Sequence, residues 1–318
     1  MVVDWLLQGD PAIRWQVMRD LLDAPDDVWM VEQRRIATEG WGARLLAHRD
    51  ANGRWTPRLY GRKWISTTYS LVLLRQLGLP GDDPRAQAST RLFLDEALSG
   101  DGGINVTVSL PRSETCVTGM ALGLLSWFRI DDPRREELVN YLLREQMGDG
   151  GWNCQLHRGA THGSFHTTIN VLEGLRDYAA AGGRRRLETI AAEERGRDFL
   201  LRHHLFRSHR TGEVIDPKML RLTFPPRWRY DVLRSLEHFR SADAPHDERL
   251  HEAIGAVLSK RMADGRWSAT LQHPGAVWFQ MERPSQPSRW ITLRAMSVLR
   301  WWSPSGTASL VQRISDTV

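Results

Sequence analysis

The chain carries two cysteines, Cys116 and Cys154, and both fall near one group of histidines, His157, His162 and His166. Thiolates and imidazoles are good zinc ligands. Zinc takes four of them in a structural site, or three plus an open position in a catalytic one. Cys116 stands at the start of an apolar helical pattern, "ETCVTGMALGLLSWF" (114–128), and His166 at the start of the next, "HTTINVLEGLRDY" (166–178). Cys154 lies in the segment just before that second pattern. If the two helix starts share a rim, the arrangement predicts zinc on Cys116, Cys154 and His166. Glu114 or His162 would then be the fourth ligand or the acid–base group beside it. The plainer reading is a pair of buried, inert thiols, because unpaired Cys is among the most buried residue types.

A second set of residues is cationic. Arg14, Lys63, Arg227 and Arg289 each directly precede a tryptophan, and Arg229 precedes Tyr230. Each lies at the opening of an apolar helical pattern, where a cation opposes the helix dipole, so capping does not account for them. If these openings share one rim, Arg14, Lys63, Trp64, Arg227, Arg229, Tyr230, Arg289 and Trp290 form a cavity mouth of cations and aromatic walls. Such a mouth suits a small molecule with an anionic head, a phosphate or carboxylate held by Arg forks, and an apolar tail. The plainer reading pairs these cations with local carboxylates such as Asp10, Asp231 and Glu282. Ser66 and Thr167, at two other helix openings, read as N-caps.

The elements that must position these residues follow a repeat. Four turns read "HRDANGRW" (48–55), "LSGDGGI" (98–104), "REQMGDGGW" (144–152) and "KRMADGRW" (260–267). Asp-Gly or Asn-Gly allows the positive φ needed where a helix stops and the chain reverses. Six apolar helices are predicted, at 14–22, 66–79, 114–128, 166–178, 227–239 and 289–302, with starts spaced as in two-helix repeats. More polar helices are predicted between them at 29–49, 84–98, 134–147, 187–206 and 247–262, with 309–318 as a stunted last one. Apolar helices alternating with amphipathic ones suit two concentric layers. The first and last apolar helices are as apolar as the middle ones and both begin with Arg-Trp, which favours a closed ring over an open array needing polar caps. The expected fold is therefore all-α, a single α/α toroid over residues 1–318 with about six hairpins.

On these residues, Asp-Gly-Gly-Trp after a Gln-containing helix resembles the repeat of squalene-hopene cyclases, within the superfamily that also contains protein prenyltransferase β subunits. That resemblance implies an α/α toroid whose inner-helix N-termini face a central cavity. The Asp-x-Asp-Asp motif with which such cyclases begin their reaction is absent; Asp82-Asp83 and Asp131-Asp132 each precede proline and read as helix N-caps. A protonation-initiated cyclisation is therefore not expected. "GGINVTVSLPRSETCVTGMALGLL" and "GSFHTTINVLEGL" are similar to the prenyltransferase segments that bind zinc through Asp-x-Cys and a later His, which places Glu114, Cys116 and His166 in those roles. Lanthionine synthetase cyclases resemble the chain only in the ligand set of two Cys and one His.

The implied function is a zinc-dependent enzyme, a transferase or lyase, acting on an isoprenoid-like substrate with an anionic head. Two alternatives stand beside it: a non-catalytic lipid-binding module, and a carbohydrate-active toroid using carboxylates among Glu114, Glu173, Asp231 and Glu282. The net charge of +5 comes mostly from scattered arginines, with no basic tail and no zinc-finger or RNA-recognition signature, so nucleic acid is not an expected partner. The N-terminus has no signal-peptide pattern and the longest apolar run is too short to span a bilayer. A cytoplasmic protein is expected, with peripheral membrane contact through exposed Arg and Trp left open.

Overall fold

The computed structural model describes residues 2–107 and 110–303. Helices, in chain order, are α1 (Val2–Leu7), α2 (Pro11–Asp20), α3 (Asp26–Arg34), α4 (Gly40–Leu46), α5 (Thr67–Leu77), α6 (Pro84–Glu96), α7 (Thr115–Trp127), α8 (Arg135–Arg144), α9 (Phe165–Ala180), α10 (Arg186–Arg202), α11 (Val232–Ser241), α12 (His251–Leu258) and α13 (Arg289–Trp302). Short 3-10 turns join some of them, and β pairing among the described residues is limited to isolated bridges.

The inner helices form a ring. α5 packs on α7, α7 on α9, α9 on α11, α11 on α13, and α13 on α2. The remaining join, α2 to α5, is made by Trp15, whose indole N–H donates to the Leu77 carbonyl at 2.9 Å. The closed ring expected from the similarity of the first and last apolar helices is thus present in the chain's own contacts. α7 and α9 approach most closely. A Cβ on Gly174 would lie 2.2 Å from the Gly119 carbonyl oxygen, so glycine is required at that crossing.

The repeated turn has a physical explanation. Trp55, Trp152 and Trp267 are buried, and their indole N–H groups donate to Leu45, Leu142 and Val257 carbonyls at 2.7, 2.7 and 2.8 Å. Each indole thereby satisfies a carbonyl left over at the end of an outer helix. The backbone N–H of the same tryptophans donates to Thr67, Thr168 and Thr292 Oγ1 at 3.1, 3.0 and 3.0 Å. Each repeat is therefore stitched from outer-helix end, through tryptophan, to the first turn of the next inner helix. Gly150, at φ +88, makes the reversal possible; a Cβ there would meet the Arg195 carbonyl oxygen at 2.4 Å.

Several boundaries differ from expectation. The pattern over 29–49 is two helices, broken at Gly40 with φ +64. The helix expected from 227 begins at Val232, because Pro225 and Pro226 precede it and Asp231 is its N-cap, accepting from the Arg234 N–H. The expected helix at 247–262 is a short 3-10 turn followed by α12. α1 was not anticipated; it packs on α2 and, through Trp5, on the first residue of α13. The element expected at 309–318 lies outside the described residues. Asp83 caps α6 as expected, accepting from the Arg85 and Ala86 N–H groups. Ser66 makes no capping bond, and Thr167 accepts from the Cys154 N–H instead of capping α9. Among the described residues, no helix is long and apolar enough to cross a membrane.

Candidate functional site

The N-terminal ends of the inner helices share one rim. Cys116 at the start of α7 meets Cys154 in the loop before α9, and Cys154 meets Thr167 in the first turn of α9; His166, next to Thr167, meets Trp228 and Tyr230 ahead of α11. On the other side, Trp64 ahead of α5 lies against Arg227.

Three cations gather on this rim. Lys63 is exposed, with its ammonium 5.9 to 6.0 Å from the rings of Tyr60, Trp64 and Trp228. The Arg227 guanidinium lies 5.4 Å over Trp64, and the residue is only 5% exposed. Arg229 stacks over Trp228 at 4.7 Å, and its Nε is buried with no hydrogen-bond partner. Among the described residues no carboxylate forms an ion pair with any of the three. Burial pushes Arg227 down to about 10, an unusual position for a guanidinium and a measure of how poorly its charge is compensated.

Aromatic and neutral polar groups complete the mouth. The hydroxyls of Tyr60 and Tyr69 are hydrogen-bonded at 3.0 Å, and Trp64 meets Tyr69 edge-on at 4.8 Å. Burial raises Tyr60 to about 12 and Tyr69 higher still, so both stay protonated, and the hydroxyl that accepts within the pair keeps a proton to donate to an anion. Burial, helped by Arg229, lowers His166 and His273 to about 4, so both imidazoles are neutral at pH 7. His166 Nδ1 accepts from the Tyr230 backbone N–H at 2.8 Å, which leaves its proton on Nε2.

A strap from the long connection before α13 covers this mouth. Trp64 donates its backbone N–H to Ala276 at 2.5 Å and its indole N–H to the His273 and Pro274 carbonyls at 3.0 Å. Trp278 stacks on His48 at 4.2 Å, and Arg44 lies 4.3 Å over Phe279. The space left between Trp64, Leu73, Arg227 and Trp278 is only about 10 Å³.

Below the rim the ring interior is charged. Arg234 donates to Glu173 at 2.7 and 2.9 Å, Arg294 to Glu237 at 2.8 Å, and Arg75 pairs with Asp177 and, at 3.8 Å, with Glu173. Burial alone would raise Glu173, but the guanidiniums of Arg234, Arg75 and Arg176 hold it at about 2. The open volume among these groups is 190 Å³. This space at the centre of the ring is lined by the ion pairs together with Trp15, Trp127, Phe224 and Trp290.

The other expected site residues are placed as follows. Arg14 donates to Glu32 at 2.6 Å and to the Gly9 carbonyl at 2.7 Å. Arg289 lies 4.5 Å over Trp5 and donates to its carbonyl at 3.0 Å. Trp290 stacks on Phe224 at 3.9 Å, and the Tyr230 hydroxyl donates to the Leu205 carbonyl at 2.6 Å. These four hold the ring together and do not join the cluster of Lys63, Trp64, Arg227 and Arg229. Asp10, Asp231 and Glu282 do not neutralise that cluster either. Asp10 and Asp231 accept backbone N–H groups at the starts of α2 and α11, and Glu282 accepts from Ser288 and the first N–H groups of α13.

The zinc ligands do not assemble. Among the described residues no group of three or more His, Cys, Asp and Glu is placed to hold a metal ion. Cys116 and Cys154 face each other across α7 and α9, whereas His166 turns toward α11 and gives its Nδ1 lone pair to Tyr230. His162 is exposed and bonds to Thr161, and Glu114 accepts from Thr107 at 2.8 Å. The donor set therefore does not fit the expected zinc site, because one histidine points out of it. Of the four carboxylates of the carbohydrate reading, Glu173 is bound by arginine, Asp231 and Glu282 serve helix starts, and Glu114 accepts from Thr107.

Sequence reasoning missed Tyr60, Tyr69, Trp228 and His273. The length of the connection between α12 and α13 was the available signal for His273, since long irregular loops in compact folds tend to be functional. Trp228 stood between the two flagged arginines.

No protein-family model matches the chain, and no curated relative does. Solved structures similar to it include the type II terpene cyclase MstE from Scytonema. It is 19% identical, with a TM-score of 0.47 over 93% of this chain and 89% of that one. A variant of that cyclase in complex with geranylgeranyl dihydroxybenzoate is 16% identical, with a TM-score of 0.48 over 92% and 87%. A protein from Actinoplanes is 17% identical, with a TM-score of 0.45 over 93% and 90%.

Proposed function

We propose that this toroid binds a small molecule with an anionic head and an isoprenoid-like apolar body, the head lying on Lys63, Arg227 and Arg229. One observation carries this reading: Arg227 is buried with no carboxylate partner, and the next cation, Arg229, has a buried Nε with no acceptor. An uncompensated buried charge is costly, and a ligand anion is the group that would relieve it. Guanidiniums take phosphate or carboxylate through paired N–H bonds, and the Tyr60 and Tyr69 hydroxyl pair adds a neutral donor.

The apolar body would take the place of Trp278, Phe279 and Met281, whose side chains now fill the space beneath the mouth. Opening of the strap would thus accompany binding. No metal enters this reading, since the cysteines and His166 do not converge. The residues that contact the ligand bind and orient it: the cations hold the head, and Trp64 and Trp228 wall the entrance.

Thermal shift with prenyl phosphates against neutral prenyl alcohols of matched length tests the proposal. Stabilisation by the phosphates, reduced in Arg227→Ala, is the expected result. Equal stabilisation by both ligand types would remove the anion site.

A further inference from the structure

The two thiols that fail as zinc ligands are still arranged for chemistry. Cys154 Sγ lies 3.2 Å from the Cys116 backbone N–H and 3.5 Å from the Thr167 hydroxyl, and accepts a hydrogen bond from each. Two donors converge on one sulfur. The backbone donor belongs to the first turn of α7, where the helix dipole favours negative charge. An inert buried thiol has no need of such donors; a thiolate does.

The surroundings of the two sulfurs differ. Cys154 lines an open cleft of 480 Å³ together with Arg112, Arg144, Asn153 and His157, so a small solute can approach it. Cys116 does not line that cleft and lies close enough to Tyr60 and Tyr69 to disfavour their ionisation. Both residues are half-buried, and Cys154 is the one that faces the cleft.

We propose that Cys154 and Cys116 are a reversible dithiol–disulfide pair, with Cys154 the attacking thiol and Cys116 the resolving one. The reaction partner is a low-molecular-weight disulfide, RSSR. The Cys154 thiolate attacks one sulfur, forming a mixed disulfide and releasing RS⁻. Cys116, after losing its proton to solvent, attacks Cys154 Sγ, closes the internal disulfide and releases the second RS⁻. The protein is oxidised by two electrons and RSSR is reduced to two thiols. The disulfide would tie the first turn of α7 to the 153–164 loop, beside the two tyrosines of the rim. This inference does not depend on the proposed ligand.

The test uses the full chain, reduced, then exposed to glutathione disulfide and read by intact mass and thiol counting. Wild type should lose both free thiols and retain no adduct, and dithiothreitol should restore both. Cys116→Ser should retain one glutathione on Cys154, while Cys154→Ser should react roughly ten-fold more slowly or not at all. Circular dichroism on each variant shows whether it is folded, and Cys116→Ala serves in place of Cys116→Ser if that variant is not. A wild-type protein that keeps both thiols free, or that keeps a stable glutathione adduct, overturns the pair. So does protein purified with both thiols blocked and freed only by a chelator, which would make them metal ligands.

Discussion

Two levels of the same ring treat buried arginine differently. In the interior, Arg234, Arg294 and Arg75 are each matched by a carboxylate from another inner helix. At the N-terminal rim, Arg227 and Arg229 lie over aromatic faces, and among the described residues no carboxylate pairs with either. Burial is similar: Arg234 is 3% exposed and Arg227 5%. The difference is therefore one of compensation and not of depth. A matched guanidinium links helices and acts as structure, whereas an unmatched one is a place where the molecule is incomplete without an anion.

The comparison can be broken by removing a partner from the interior. Glu173→Ala leaves Arg234 charged and buried, and should destabilise the fold by about 3–5 kcal/mol in chemical denaturation. A loss below about 1 kcal/mol would mean that the interior pairs are not structural.

At the rim the same kind of change should have the opposite consequence. Arg227→Met replaces an unpaired buried cation by an apolar chain of similar length, so stability should be unchanged or increased. Affinity for an anionic ligand should fall by about 2 kcal/mol or more, roughly thirty-fold. Arg289 sharpens the contrast, because it carries the same Arg-Trp signature yet bonds to the Trp5 carbonyl. Arg289→Ala should cost about 1 kcal/mol of stability and leave anion affinity unchanged.

The smallest effect is one of protonation. His166 and His273 sit near 4 in the folded protein, below their ordinary value of 6.5. Between pH 6.5 and 4 the unfolded chain binds these protons and the folded one does not, so their contribution to stability is intact above 6.5 and declines as pH falls. A bound anion favours the imidazolium and should raise both values, so binding should take up protons and tighten from pH 7 toward 5. Imidazole NMR titrations with and without prenyl phosphate check this; a downward move on adding the anion would contradict it.

The ring was legible in the sequence because its signals are periodic and local. Six apolar patterns announced the inner helices, and the Gly-Trp turns marked where tryptophan seals an outer helix to the next inner one. Even so, helix ends moved where one residue dominated, as at Gly40 and at Pro225-Pro226. The site was legible only in part, because partner choice is a tertiary matter. Arg14, Arg227 and Arg289 look alike in sequence, but Glu32 faces the first, Trp64 the second and Trp5 the third. Likewise Cys116 and His166 do open adjacent helices, yet the direction in which the imidazole turns was not encoded in their spacing.

The central claim is that the rim cations await an anion. Calorimetric titration of one prenyl phosphate into wild type and Arg227→Met tests it most directly, with the matching prenyl alcohol as control. The account predicts binding of the phosphate by wild type, weakened by salt, and roughly thirty-fold or more weaker in Arg227→Met. Equal affinity in the two proteins, or equal affinity for phosphate and alcohol, would contradict it.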